Sequence, residues 1–229
     1  MVFAADDRVK TWYDAMQLQI QRPIGSQSRW GGGIAYTLAR MEEQGQSTDM
    51  FWGWNDKYPT VADRPRLRSP GDQRHTVAAN FIARLPWEIM ASGIVQLGSG
   101  IALNGTDASG GWGPYQQRTY LFTPPTRSFL GVGNVFATQN ADLRLEKGLT
   151  VGLGNTATVV LDLYNAFNSQ NLGCYDWNNT IVPTADQNAD WRSRYGTAGC
   201  AALGRRMQVG LRYGYRGAQQ GERSPGGGQ

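Results

Sequence analysis

Apolar and polar side chains alternate at every second position in seven separate stretches of the chain, and a period of two is the signature of a β-strand with unlike faces. In 12–22, Trp12, Met16, Leu18 and Ile20 alternate with Gln17, Gln19 and Gln21. In 29–40, Trp30, Ile34, Tyr36 and Leu38 stand against Arg29, Ala35, Thr37 and glycines. The stretch 73–85 sets Val77, Ala79, Phe81, Ala83 and Leu85 against Thr76, Asn80 and Arg84, and 88–98 follows with Ile89, Ala91, Val95 and Leu97. A shorter apolar set in 138–147, Ala141, Leu143 and Leu145, opposes Asn140, Asp142, Arg144 and Glu146. In 156–167, Val159, Leu161, Leu163 and Phe167 oppose Thr158, Asp162 and Tyr164. In 206–216, Met207, Val209, Leu211, Tyr213 and Tyr215 oppose Arg206, Gln208, Arg212 and Arg216.

These stretches exceed the five or six residues usual for a soluble strand and match the roughly 9–11 tilted residues that cross a bilayer. The connections 23–28, 86–87 and 148–155 are short, whereas 41–72, 99–137 and 168–205 are long, in strict alternation. The pattern predicts an all-β, antiparallel, up-and-down transmembrane β-barrel segment of about seven strands, with short turns on one rim and long loops on the other. Arg84, Asp142, Arg144, Asp162, Arg212 and Arg216 would then face a wet lumen. Trp12, Tyr13, Trp87, Tyr213 and Tyr215 would sit in interfacial girdles. An arginine at Leu161 or Leu211 is expected to be costly, and one at Asp162 or Gln208 nearly free. Seven is an odd count, and bacterial single-chain barrels are even and closed. Residues 1–11 are expected in an external loop, so the chain reads as beginning between two strands of a larger sheet. The stretch 217–229, rich in Gly, Ser, Pro and Gln, is expected to be a disordered tail after a barrel region spanning 1–216.

Composition narrows the classes. The 229 residues carry a net charge of +4, and their 22 basic side chains are scattered, against the clustering a nucleic-acid interface needs. The longest apolar runs fall far short of the roughly 18 residues of a spanning helix, so a membrane role would have to use strands. The N-terminus lacks a signal-peptide pattern. No nucleotide-binding, zinc-protease or serine-hydrolase motif is present, and no cofactor or metal site is expected. Ser69, Asp72 and His75 fall too close together for a catalytic triad, whose members normally come from separate parts of a fold. The run Asp72-Gln73-Arg74-His75 is expected instead to organise the turn into the strand, with Asp72 accepting backbone hydrogen bonds and Arg74 or His75 facing polar surroundings. An enzyme is not expected.

The run Asp72-Gln73-Arg74-His75 ahead of a strand ending Leu85-Pro86-Trp87, then Ser99-Gly100, then Val159-Val160-Leu161-Asp162-Leu163-Tyr164-Asn165-Ala166-Phe167-Asn168, resembles the C-terminal barrel of TonB-dependent outer-membrane receptors, closest to the Oar-like branch. The resemblance covers roughly residues 12–216. It implies a barrel of about 22 strands, plugged by an N-terminal domain, that imports a metal chelate, saccharide or peptide with energy relayed by the TonB complex. The partners it implies are outer-membrane lipid, the remaining barrel strands, the plug and that energy-coupling complex. The chain departs from the family in having no plug, coupling segment or export signal, and in continuing beyond Tyr215-Arg216.

Loops held on a rigid scaffold are where ligands are met. Trp52 and Trp54 lie in the first long loop, Trp112 and Tyr115 in the second, and Tyr175, Trp177 and Trp191 in the third. Such rings either offer stacking surface to a ligand or fold inward as a loop core. Cys174 and Cys200 share the third loop, as a disulfide or as two thiols. If joined, they would stiffen the loop by roughly 3 kcal/mol. Two rival readings remain: a soluble secreted β-protein that binds carbohydrate through its Trp-bearing loops, and a partial barrel completed by oligomerisation.

Overall fold

Seven long strands hydrogen-bond side by side in the order in which the chain makes them, and every neighbouring pair is antiparallel. The computed structural model describes residues 10–44, 66–107, 118–152, 155–175, 178–179 and 198–215. The strands are β1 (Lys10–Arg22), β2 (Trp30–Gln44), β3 (Arg66–Arg68), β4 (His75–Leu85), β5 (Ile89–Gly98), β6 (Leu103–Asp107), β7 (Arg118–Phe122), β8 (Arg127–Phe129), β9 (Val132–Phe136), β10 (Thr138–Val151), β11 (Asn155–Tyr164), β12 (Leu172–Tyr175), β13 (Asn178–Asn179), β14 (Ala198–Ala201) and β15 (Arg206–Gly214). The main sheet runs β1-β2-β4-β5-β10-β11-β15, with β3 paired to the far end of β2.

All seven expected strands are present, with shifted ends. β2 continues to Gln44 and β10 to Val151, so the fifth stretch, the shortest in apolar content, makes one of the longest strands. Conversely β11 stops at Tyr164, because Asn165 turns into the left-handed region (φ 50°), and Phe167 therefore lies outside it. Arg216 and the stretch 217–229 lie outside the described residues.

Residues directly opposite in an antiparallel pair share a face, so the register assigns each side chain to one surface. One row reads Trp30, Ala83, Ala91, Leu145, Leu161, Val209 across six strands. The next reads Gly32, Phe81, Gly93, Leu143, Leu163, Met207. The other face carries the row Gly31, Ile82, Ser92, Arg144, Asp162, Gln208. One surface is thus a continuous apolar field that stays uncovered among the described residues over most of its height, with Ile20 69% exposed, Val209 66% and Leu211 74%, whereas Leu97 and Ala141 at its long-loop end are buried. Charges on that face are Lys147, between Ile89 and Val159, and, on the two strands at the β1 edge, Asp14 opposite Arg40, Glu42 opposite Trp12 and Arg22 at the end of β1. The long stem of Lys147 lets the ammonium reach past the apolar surface.

Packing within this single layer is lateral. The Phe81 ring lies over Gly93, where an added Cβ would come within 2.5 Å of it and 2.8 Å of Leu143. On the polar face Arg144 pairs with Asp162 through two hydrogen bonds, 2.6 and 3.0 Å. Asp162 is therefore not the neutral position that its place on a wet face suggests, since an arginine there would set like charges together and leave Arg144 unpaired.

The connections segregate by rim. β4 and β5 are joined by a single 3₁₀ turn, Pro86–Glu88, and β10 and β11 by residues 152–154. The β1–β2 turn is held by Arg84, whose Nη1 donates to the carbonyls of Gly25, Ser26 and Ser28 at 3.0–3.2 Å. The opposite rim carries the small sheets β13-β6-β7, β8-β9 and β12-β14. Within the first of these, β13 runs parallel to β6.

Close approach makes Gly32 sensitive. A Cβ there would stand 2.5 Å from the Asn80 carbonyl oxygen, a backbone atom that cannot swing aside, whereas a Cβ at Gly148 meets nothing within 4 Å. Gly32→Ala is expected to lower stability by about 1–3 kcal/mol. Gly148→Ala should be neutral or better, both read from the denaturant midpoint of the full chain in detergent.

Candidate functional site

At the rim of long connections the alternating pattern gives way to buried polar side chains that root each loop in the strand ends. In the first, Asp72, only 1% exposed, accepts the Met41 amide on Oδ1 at 2.8 Å and the Arg68 Nε on Oδ2 at 2.5 Å. Ser69 donates to Glu43 at 2.7 Å, and His75 Nδ1 meets the Tyr36 hydroxyl at 2.8 Å. Ser69, Asp72 and His75 thus each bond to a different partner, and no triad geometry exists. The expected turn-organising role of Asp72 is what the hydrogen bonds give. Arg68 reaches onward to Thr123 at 3.2 Å, and Gly71 N–H donates to the Ala102 carbonyl at 2.7 Å, so the first and second loops share one root.

The third loop is rooted by asparagines. Asn165, 5% exposed, receives Ser169 N–H at 2.8 Å on its Oδ1 and donates its Nδ2 to the carbonyls of Ser169 and Leu203 at 2.9 and 3.2 Å, while its own N–H donates to Asp142 at 2.8 Å. Asn171 grips Gln139 like a strand partner, accepting its N–H at 2.7 Å and donating to its carbonyl at 2.8 Å. Beyond it, β12 and β14 are bridged by the Cys174–Cys200 disulfide, which resolves the two alternatives for those residues.

Against the root of the third loop lies an open cleft of about 300 Å³ lined by Asn140, Asp142, Tyr164, Asn171, Leu203 and Arg206, among others. It faces the polar side of the sheet at the long-loop rim. Asp142 is already engaged by Asn165 and, at 3.2 Å, by Asn140. The Arg206 guanidinium lies 5.5 Å from the Tyr164 ring centre. Amide, carboxylate, aromatic and guanidinium groups converge here, a set that suits a polar ligand better than an apolar one.

Of the aromatic candidates, Trp52, Trp54, Trp112, Tyr115, Trp177 and Trp191 lie outside the described residues. Tyr175 is described and is 9% exposed, folded into the loop. Burial pushes its phenol pKa up, and the Arg127 charge opposes the shift in part. The alternation marks Asn140, Asp142, Tyr164 and Arg206 as polar-face positions, but not Asn171 or Leu203, which lie in the third long connection where no period runs. Among the described residues no group of three or more His, Cys, Asp or Glu side chains gathers as a metal site. No described helix is long and apolar enough to cross a membrane, which says nothing of crossing by strands.

Comparison with family models, with curated proteins and with solved structures finds no match to this chain.

Two variants separate what Asn165 supplies. Asn165→Gly removes its side-chain bonds but keeps the left-handed backbone accessible, whereas Asn165→Ala adds the conformational penalty of about 1–2 kcal/mol. Asn165→Ala is expected to be less stable than Asn165→Gly by about 1 kcal/mol in equilibrium unfolding. Equal losses would show that backbone conformation does not select this residue.

Proposed function

We propose that this chain forms part of the transmembrane β-barrel of an outer-membrane receptor of the TonB-dependent kind, and that it serves energised uptake of a ligand met at the long-loop rim. The observation that carries the proposal is the uncovered apolar field. A sheet whose one face is hydrocarbon-like from β1 to β15, with Leu211 74% exposed, needs an apolar environment, and lipid supplies one. The polar opposite face, with its Arg144–Asp162 pair, suits a wet or plugged lumen. Strand length supports the same reading. From Trp12 to Arg22 is roughly 33 Å along β1, and a tilt of about 40° projects this to the roughly 25 Å height of an outer-membrane apolar band.

The ligand class stays with the family likeness: a metal chelate, a saccharide or a peptide, passed inward with the help of a plug and an energy-coupling complex. The chain's share would be the cleft of Asn140, Asp142, Tyr164 and Arg206, at the mouth where loops meet lumen. A soluble carbohydrate binder would need a second layer over the apolar field, and the small sheets lie in the long connections, rooted at the strand ends through Asp72, Asn165 and Asn171.

The test is an arginine pair in vesicles. Leu211→Arg, with the full chain refolded into lipid vesicles, is expected to cost about 2–4 kcal/mol and Gln208→Arg close to nothing. Equal tolerance at the two positions, or a monodisperse soluble monomer in buffer without detergent, would sink the membrane reading.

A further inference from the structure

The two ends of the apolar field are finished differently. At the long-loop rim Arg66 lies 4.3 Å over the Trp12 ring, but its guanidinium also binds Glu42 at 2.5 Å, and Arg40 binds the same carboxylate. That cation is thus held by a carboxylate of the protein, one it shares with Arg40. At the short-turn rim Arg22 lies 3.9 Å over the Trp30 ring, and among the described residues no carboxylate or hydrogen-bond acceptor engages it. Arg22 pairs across the sheet with Gly32, two positions along from Trp30, so both side chains belong to the apolar face. Trp30 is 51% exposed. The same rim presents Trp87, 79% exposed at the tip of the Pro86–Glu88 turn, in a left-handed conformation (φ 59°) that a bulky residue seldom adopts. Of the other arginines at this rim, Arg84 is spent on the turn carbonyls of the β1–β2 connection.

A guanidinium stacked on an indole keeps its edge donors available, and it is more weakly hydrated than an ammonium, which suits a phosphate. At the end of an apolar band the group met there is a lipid headgroup, with the acyl chains running along Ile20 and Ile34. We infer that Arg22 and Trp30 form a site for the phosphate of an anionic phospholipid on the membrane-facing side of the short-turn rim. The inference rests on the membrane reading above. It adds a specific lipid contact and an asymmetry between the two rims.

The test uses the full chain refolded into phosphatidylcholine vesicles with and without phosphatidylglycerol, followed by native mass spectrometry of the lipids retained. Wild type is expected to retain phosphatidylglycerol over phosphatidylcholine, and Arg22→Gln to reduce that preference about fivefold. Trp30→Leu, which keeps the surface apolar but removes the ring, should weaken it too. Lys147→Gln makes the same charge change on the same face without a ring beneath, and should leave most of the preference intact. Equal losses in Arg22→Gln and Lys147→Gln would mean diffuse attraction only and overturn the site, as would insertion with no lipid preference. Failure of the wild-type chain to insert into either vesicle would remove the membrane reading itself, and the site with it.

Discussion

A single β-layer whose one face is apolar and uncovered can satisfy its backbone only sideways, and that constraint orders the rest of this molecule. Every N–H and C=O along the seven main strands must find its partner in a neighbouring strand. With no second layer among the described residues to pack against, cohesion falls to the ladder and to cross-strand pairs on each face. The apolar rows supply those pairs on one side and the bidentate Arg144–Asp162 bridge on the other. The placing of Phe81 over Gly93 follows the same logic, since a ring lying over an open glycine recovers contact area that a stacked sheet would otherwise give.

The same constraint explains why the rims carry the buried polar groups. Where the strands end, backbone groups lose their lateral partners and a side chain must replace them. Asp72 replaces a partner for Met41, Asn171 for Gln139, and Arg84 gathers the carbonyls of the β1–β2 turn. On both rims the replacing group comes from far along the chain: Arg84 lies 56–59 residues from the carbonyls of the β1–β2 turn, Asp72 31 from Met41 and Asn171 32 from Gln139. The rims differ in that the long connections continue beyond their roots, whereas the short ones close at once. A cleft set against such a root has a rigid floor, which favours selective binding over adaptive binding.

The main strands were legible because a residue period of two is written directly in the sequence, and a strand with unlike surroundings on its two sides cannot disguise it. Val159, Leu161 and Leu163 against Thr158 and Asp162 is such a case. Strand ends were less legible. β10 runs on through Lys147 and Gly148 to Val151 because its partner strand offers pairing there, from Val159 to Asn155, which no local preference announces. The short strands β3, β6 to β9 and β12 to β14 were not legible. They hold two to five residues each, too few for a period, and their pairing depends on the disulfide or on contacts from far along the chain. The cleft was hidden for a related reason. Asn165 reads as a position of the 156–167 stretch and Asn171 as an ordinary loop asparagine until the partners Asp142 and Gln139, over 20 residues earlier, are brought beside them.

Strand direction bears on how the proposed barrel would be completed. β1 runs from the long-loop rim to the short-turn rim. Each antiparallel step reverses direction, so β15, at the other edge of a seven-strand path, runs the same way as β1. Identical copies set edge to edge in a ring, with their long loops on one rim, would therefore meet as β15 beside β1 in parallel at every junction. Parallel pairs are slightly weaker per residue than antiparallel ones, and the slanted ladder would interrupt an otherwise uniform up-and-down sheet. Further strands in odd number restore the alternation and let the last edge meet the first antiparallel. That parity favours completion by additional, non-identical strands of a larger barrel over completion by copies of this one.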